Sequence, residues 1–207
     1  MKVLLLNGSP HPKGSTYTAL RSVADGVEEY GIETEIYHVS PEPIRGCMAC
    51  FGCKNGKNRC IYEEDEVNVI LEKLETADGL VIGSPVYYAS PNGQILSVMD
   101  RVSFAATCLR GKPGAAVCSA RRAGTTATLD ALNKYFQIAG MPIAGSTYWP
   151  MVHGQKAEQT EQDLEGLQTC RVLGRNLAWL ILSIEAGKAA GVQPPEPEKK
   201  IFTNFIR

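Results

Sequence analysis

The chain has 207 residues, the size of one ordinary domain with room for a real core, and no shift in composition divides it. Its 21 basic and 22 acidic side chains leave a net charge of −1, with no basic stripe for a phosphate backbone and no basic amphipathic face for lipid, so neither nucleic acid nor a membrane is an expected partner. Seven cysteines behind an N-terminal apolar run too short for a signal peptide or a membrane span point to a reducing cytoplasm, and to metal or redox chemistry rather than a disulfide framework.

In chain order, residues 3–6 (VLLL) form a short continuous apolar run, the pattern of a strand buried on both faces of a parallel sheet. After the loop GSPHPKGST at 8–16, residues 17–30 carry Leu20, Val23, Ala24 and Val27 at helical spacing, with Gly31 as the stop. Residues 35–39 suit a second strand, and a cysteine-rich loop spans 45–62. A helix is expected at 66–74 and a third strand at 79–83; after the loop SPVYYASPNG at 84–93 comes a helix holding Met99, Asp100 and Arg101. A fourth strand at 114–118, a helix at 129–138, a fifth strand at 142–147 and a long closing helix at 164–184 complete the pattern. The proline-rich tail at 192–207 reads as extended over the surface or onto a neighbouring subunit. Strands alternating with helices predict one α/β domain over 1–207, a parallel sheet with helices on both faces.

In an open parallel sheet ligands bind outside the carboxyl ends of the strands, so the loops after the first, third and fourth strands carry the chemistry. The loop at 8–16 offers hydroxyls and free backbone N–H groups ahead of a helix, a socket for phosphate; it is neither a Walker A sequence nor a G-x-G-x-x-G turn. A tight turn with Ser15 or Thr16 as N-cap is the plainer alternative. The prolines and tyrosines of 84–93 make a stiff wall for a flat heteroaromatic ring, unless Tyr87 and Tyr88 merely pack under a neighbouring loop or subunit. Arg121 and Arg122, after the fourth strand, suit a reduced ring or a nucleotide phosphate, or else solvated surface.

Together the stretches LLLNGSPHPKGST, GCMACFGC, IGSPVYYASPNGQ and VCSARRAG resemble the flavodoxin-like family of NADPH-dependent FMN reductases and the related iron–sulfur flavoproteins, over most of the chain, from Lys2 to about Thr147. The resemblance implies a flavodoxin-like, doubly wound, five-stranded parallel sheet in a three-layer αβα arrangement, with FMN bound noncovalently. It puts the FMN phosphate on Ser9, His11, Ser15 and Thr16, the isoalloxazine ring on Ser84, Pro85, Val86, Tyr87 and Tyr88, and Ser119, Arg121 and Gly124 on the ring's other side. The flavin carries the chemistry, so no side chain is expected to act as a catalytic acid or base.

Cys47, Cys50, Cys53 and Cys60 follow the spacing C-x₂-C-x₂-C-x₆-C, which lets three thiolates wrap one face of a cubane and a fourth complete it. That spacing looks like the motif of the iron–sulfur flavoproteins, and Arg45, Lys54, Lys57 and Arg59 add local positive charge that favours thiolates. A [4Fe–4S] cluster, a closed zinc site and unligated or partly oxidised thiols all remain open. Cys108, Cys118 and Cys170 read as small core residues, His38 and His153 as structural, and Asp100 and Arg101 as an ion pair or subunit contact.

The expected function is an FMN-dependent oxidoreductase moving electrons between NAD(P)H or a one-electron, ferredoxin-like carrier and an acceptor, as a homodimer or homotetramer. An NAD(P)H-dependent FMN or quinone reductase without a cluster, and a noncatalytic binding protein with a degenerate flavodoxin fold, are the alternatives.

Overall fold

The computed structural model describes residues 1–39, 41–203 and 205. Along them run β1 (Lys2–Asn7), α1 (Ser15–Glu28), β2 (Glu33–His38), α2 (Val67–Thr76), β3 (Gly79–Tyr87), β4 (Ser90–Pro91), α3 (Gly93–Ala105), β5 (Gly114–Ala120), α4 (Thr125–Ile138), β6 (Met151–His153), α5 (Ala157–Thr160) and α6 (Leu164–Ala189). The sheet order is β2-β1-β3-β5-β6, all parallel, with the two residues of β4 folded back antiparallel on the end of β3. The chain steps outward from β1 to β2, then crosses to the other side of β1 for β3. That reversal opens a crevice outside the carboxyl ends of β1 and β3.

Strand alternation divides the apolar residues between two cores. Leu4 and Leu6 of β1, Leu80 and Ile82 of β3, and Ala116 and Cys118 of β5 face α2, α3 and α4. Their neighbours Val3, Leu5, Val81, Ala115 and Val117 face α1 and α6. Both faces are therefore covered, and the continuous apolar runs of the inner strands follow from burial on two sides.

Helices α1 and α6 meet backbone to backbone. A Cβ on Gly26 would stand 2.1 Å from the Arg171 carbonyl oxygen, and one on Gly174 would stand 2.0 Å from that of Val23. These two glycines set how closely α1 lies on α6, and α1 begins at the mouth of the crevice.

The last strand departs from the sequence expectation. Residues 142–147 touch the sheet at one bridge, Ile143 to Gly114, and the regular pairing is made by β6, where Cys118 stands beside Met151. Eight residues on the edge thus span four on β5, and the excess leaves the sheet around Tyr148 and Trp149, whose rings meet edge to face at 4.6 Å. Proline and glycine punctuate this stretch at Pro142, Gly145 and Pro150, which suits a broken edge better than a continuous strand. Among the described residues no helix is long and apolar enough to cross a membrane.

Candidate active site

The crevice is an open cleft of about 640 Å³, within the range of small-molecule sites. Its first wall is the loop between β1 and α1. The Asn7 side chain shapes that loop: its Oδ1 accepts from the Ser9 amide at 3.1 Å and its Nδ2 donates to the Pro12 carbonyl at 3.1 Å. Ser9 Oγ accepts from the His11 amide at 3.1 Å. His38, at the end of β2, has Nε2 2.8 Å from the Ser9 carbonyl; a carbonyl only accepts, so that nitrogen carries the proton. Gly14, not Ser15 or Thr16, is the N-cap of α1; no side chain caps the helix and its first turn holds no acid. Its positive end and amides therefore remain available to an anion, with His11, Lys13, Ser15 and Thr16 lining the same wall.

The second wall is the end of β3, where Pro85, Val86 and Tyr87 line the cleft. Val86 pairs with Pro91 and Tyr87 with Ser90, and the hairpin turns through Tyr88 and Ala89 at φ +51° and +57°. Tyr88 projects fully into solvent at the tip. Ser84 lies beneath the wall, fully buried, accepting from the Asn92 amide at 3.0 Å and donating to the Pro85 carbonyl at 2.9 Å. Asn92 in turn donates to the Gly8 carbonyl and caps α3 through Ile95 N at 2.9 Å, so one side chain joins the first two walls. Gly124 backs the hairpin: at φ +94°, a Cβ there would come within 2.7 Å of Ala89 Cα.

Ser119, Ala120 and the exposed Arg121 supply the third wall, and Ser119 Oγ lies 2.8 Å from Thr16 Oγ1. A fourth side was not foreseen: Gly154, Gln155, Lys156, Ala157 and Glu158, the segment following β6, also line the cleft. The signal that finds it is the three-residue β6, because the loop after any strand of the sheet opens at this end. His153 is exposed and does not line the cleft; its amide donates to Asp163 at 2.7 Å.

The four clustered thiols converge on a second, small hollow, bordered also by Arg101, Phe104, Tyr62 and the exposed Met48, Phe51 and Ile61. Cys53 and Cys60 are buried, Cys47 and Cys50 exposed. Two buried asparagines fasten the loop. Asn68 accepts from the Cys60 amide at 2.8 Å and donates to the carbonyls of Cys60 at 3.0 Å and Tyr62 at 3.2 Å. Asn58 accepts from the Thr107 amide at 2.8 Å and donates to Leu71 O at 3.3 Å and Glu75 at 2.9 Å. Upstream of both, Ala49 and Phe51 adopt φ of +49° and +58°, a strained backbone, and the Ala49 amide donates to Cys47 Sγ at 3.5 Å.

Local positive charge is distributed differently from the sequence expectation. Arg59 is committed to Glu63 at 3.1 Å and Glu72 at 2.8 Å, Arg45 lies over the Tyr62 ring, and Lys54 over Phe104. Arg101 pairs with Asp65, while Asp100 accepts from the Tyr135 hydroxyl at 2.6 Å. Arg101 Nη2 reaches Cys60 Sγ at 3.4 Å. Burial pushes the Cys53 thiol up despite nearby Lys54. Among the described residues no three cysteine, histidine or carboxylate side chains stand at metal-holding geometry. The donor set nevertheless fits a soft centre: four thiols around one hollow, with backbone and guanidinium N–H groups aimed at sulfur. Cys118 and Cys170 are fully buried, and burial raises both thiols to about 12, so they are inert core residues; Cys108 is half-buried.

Residues 1–156 match the family described as NADPH-dependent FMN reductase. An iron–sulfur flavoprotein of Methanocaldococcus jannaschii is 33% identical over 199 residues, covering 89% of this chain and 100% of the relative. The iron–sulfur flavoprotein of Methanosarcina thermophila is 26% identical over 196 residues, 91% of this chain and 99% of its own. Among solved structures, an NAD(P)H:quinone oxidoreductase from Methanothermobacter marburgensis superposes with a TM-score of 0.63 at 17% identity, over 86% of this chain and 96% of that one. A flavodoxin from the domain Archaea gives 0.60 at 16% identity, over 88% and 99%. These two likenesses establish the flavodoxin-like fold.

Proposed function

Because the chain belongs to the family of NADPH-dependent FMN reductases and iron–sulfur flavoproteins, and is a flavoprotein oxidoreductase that binds FMN, we propose that the cleft at the carboxyl ends of β1, β3 and β5 seats the FMN and that the four clustered thiolates hold a [4Fe–4S] cluster. The observation that carries the first part is the uncapped, acid-free start of α1 at the mouth of a cleft lined by His11 and Lys13.

In this reading Ser9, His11, Ser15 and Thr16 hold the phosphate by backbone amides and hydroxyls, with Lys13 adding charge. Pro85, Val86 and Tyr87 form the wall for the ring, and Ser119 and Arg121 the opposite side. Ser84 and Gly124 act from behind the wall by fixing the hairpin, and Tyr88 stands at its tip where an incoming nicotinamide or acceptor arrives. FMN supplies the redox chemistry when bound, linking two-electron and one-electron transfer. The side chains orient, exclude water and balance charge.

The cluster assignment rests on the four thiols around one hollow and on the names of the relatives. Nicotinamide nucleotide is the donor the family implies, and this reading adds a ferredoxin-like carrier as the one-electron partner, because FMN links two-electron and one-electron transfer. All seven cysteines, every one among the described residues, are unpaired thiols, which suits the cytoplasm. The exposed apolar side chains Met48, Phe51 and Ile61 suit burial against a further copy in a homodimer or homotetramer.

The test is an ultraviolet–visible spectrum of anaerobically purified protein with FMN, iron, sulfide and zinc counted per chain. One FMN with four iron and four sulfide supports the reading. A yellow protein without iron that is bleached by NAD(P)H is a cluster-free reductase, favoured by the exposure of Cys47 and Cys50. A colourless protein that refuses FMN overturns the assignment of the cleft.

A further inference from the structure

Arg101 reaches from α3 to the thiol hollow, and the FMN cleft makes no use of it. Its side chain is 1% exposed. Of its five N–H donors, those on Nη1 go to the Asp65 carboxylate and the Arg45 carbonyl at 3.2 Å. Those on Nη2 go to the Tyr62 carbonyl at 3.1 Å and Cys60 Sγ at 3.4 Å, and Nε has no partner. One guanidinium thus grips the chain before Cys47 and after Cys60, with Asp65 and the sulfur on different arms of its fork. A buried ion pair alone is a poor source of stability compared with apolar packing of equal volume. The contact to sulfur gives this one a use.

We infer that Arg101 is a positioning residue for the cluster: it holds the Cys60 end of the loop against the Arg45 end and, as a fixed positive charge donating to a ligand sulfur, raises the reduction potential of the centre. The inference rests on the cluster reading above. Reduction adds one electron and one unit of negative charge, with no bond made or broken; the electron comes from a reduced one-electron carrier, or from dithionite in a titration. A guanidinium keeps its proton throughout and so favours the more negative state. Net charge and hydrogen bonds to sulfur are established determinants of such potentials.

The test compares wild type, Arg101→Gln, Arg101→Lys and the double variant Arg101→Gln with Asp65→Asn, which leaves no carboxylate unpaired should the single variant fail to fold. Each is reconstituted with iron and sulfide, and the potential is read by dye-mediated dithionite titration and electron paramagnetic resonance; FMN uptake reports that the fold is intact. Arg101→Gln is expected to shift the reduction equilibrium about tenfold toward the oxidised form, about 59 mV for a one-electron couple. Arg101→Lys, which keeps the charge, recovers most of that shift, and the double variant still lies below wild type because the bond to sulfur is gone. In metal-free protein Arg101→Gln also lowers hydrogen-exchange protection over 45–62. Loaded Arg101→Gln, or the loaded double variant, with wild-type potential and protection overturns this inference alone. A wild-type chain that takes up no iron or sulfide overturns the cluster reading, and this inference with it.

Discussion

Thr16 Oγ1 and Ser119 Oγ lie 2.8 Å apart, both buried, and tie the first turn of α1 to the end of β5 across 103 residues of sequence. The pair closes the floor of the cleft where the first and third walls meet. Thr16→Val keeps the shape, removes the hydroxyl and strands Ser119. FMN affinity, measured by quenching of flavin fluorescence on apoprotein, is expected to fall about tenfold, ~1.4 kcal/mol. The unfolding free energy from urea titration is expected to fall by ~1–3 kcal/mol, because the buried Ser119 hydroxyl loses its partner. Unchanged affinity would remove Thr16 from the phosphate site.

The seam between α1 and α6 depends on two missing side chains. Gly26→Ala or Gly174→Ala drives a methyl into the facing carbonyl, and each is expected to cost ~1–3 kcal/mol in denaturant unfolding. Gly93→Ala is the control: nothing lies within 4 Å of a Cβ there, so its effect stays within about 0.5 kcal/mol. Equal effects at all three glycines would refute the close seam.

Asn68 satisfies both the amide and the carbonyl of Cys60. Asn68→Ala leaves these buried groups without partners, at ~1–3 kcal/mol, and is expected to lower the iron retained per chain after gel filtration. Asn68→Asp still accepts from the Cys60 amide but turns a carboxylate oxygen onto the carbonyls of Cys60 and Tyr62, so it is expected to retain no more iron than Asn68→Ala. Iron content that ignores both changes would separate the loop's anchoring from the ligand role proposed for its cysteines.

Glu35 sits between Lys2 and Lys73, and the hydrogen bonds from Lys2 and then Lys73 hold its carboxyl below its ordinary 4.5. A carboxylate with a depressed native value stabilises the fold fully above its unfolded value, and that contribution fades as pH falls through the native one. The stability difference between wild type and Glu35→Gln is therefore expected to be constant above pH 5, ~0.2–1 kcal/mol for partly exposed pairs, and to shrink toward zero at lower pH. Urea unfolding at pH 7, 4 and 3 reads it; a difference that grows on acidification contradicts the sign.

The inner strands were legible in sequence because burial on both faces makes them continuous apolar runs, as at Val3 to Leu6 and Leu80 to Ile82. The cleft was legible to the extent that it lies directly after such strands: Ser9, His11, Ser15, Thr16, Pro85, Val86, Tyr87, Ser119 and Arg121 all line it. Lys156 and its neighbours were not, because β6 is three residues long and the β-like stretch at 142–147 lies just upstream. For Arg101 the sequence suggests an ion pair or a subunit contact, and it does form an ion pair, but its partners Asp65 and Cys60 lie 36 and 41 residues away, a distance over which spacing carries no signal of which residue it meets.

The glycine seam also orders events in time. The ribosome releases the loop at 8–16 early, and α1 can lie on β1, β3 and β5 once those strands exist, but its other side stays open until α6 emerges, and Lys156 arrives only shortly before that. Flavin loading therefore belongs to the finished polypeptide, and a product stalled before residue 164 should leave the ribosome colourless.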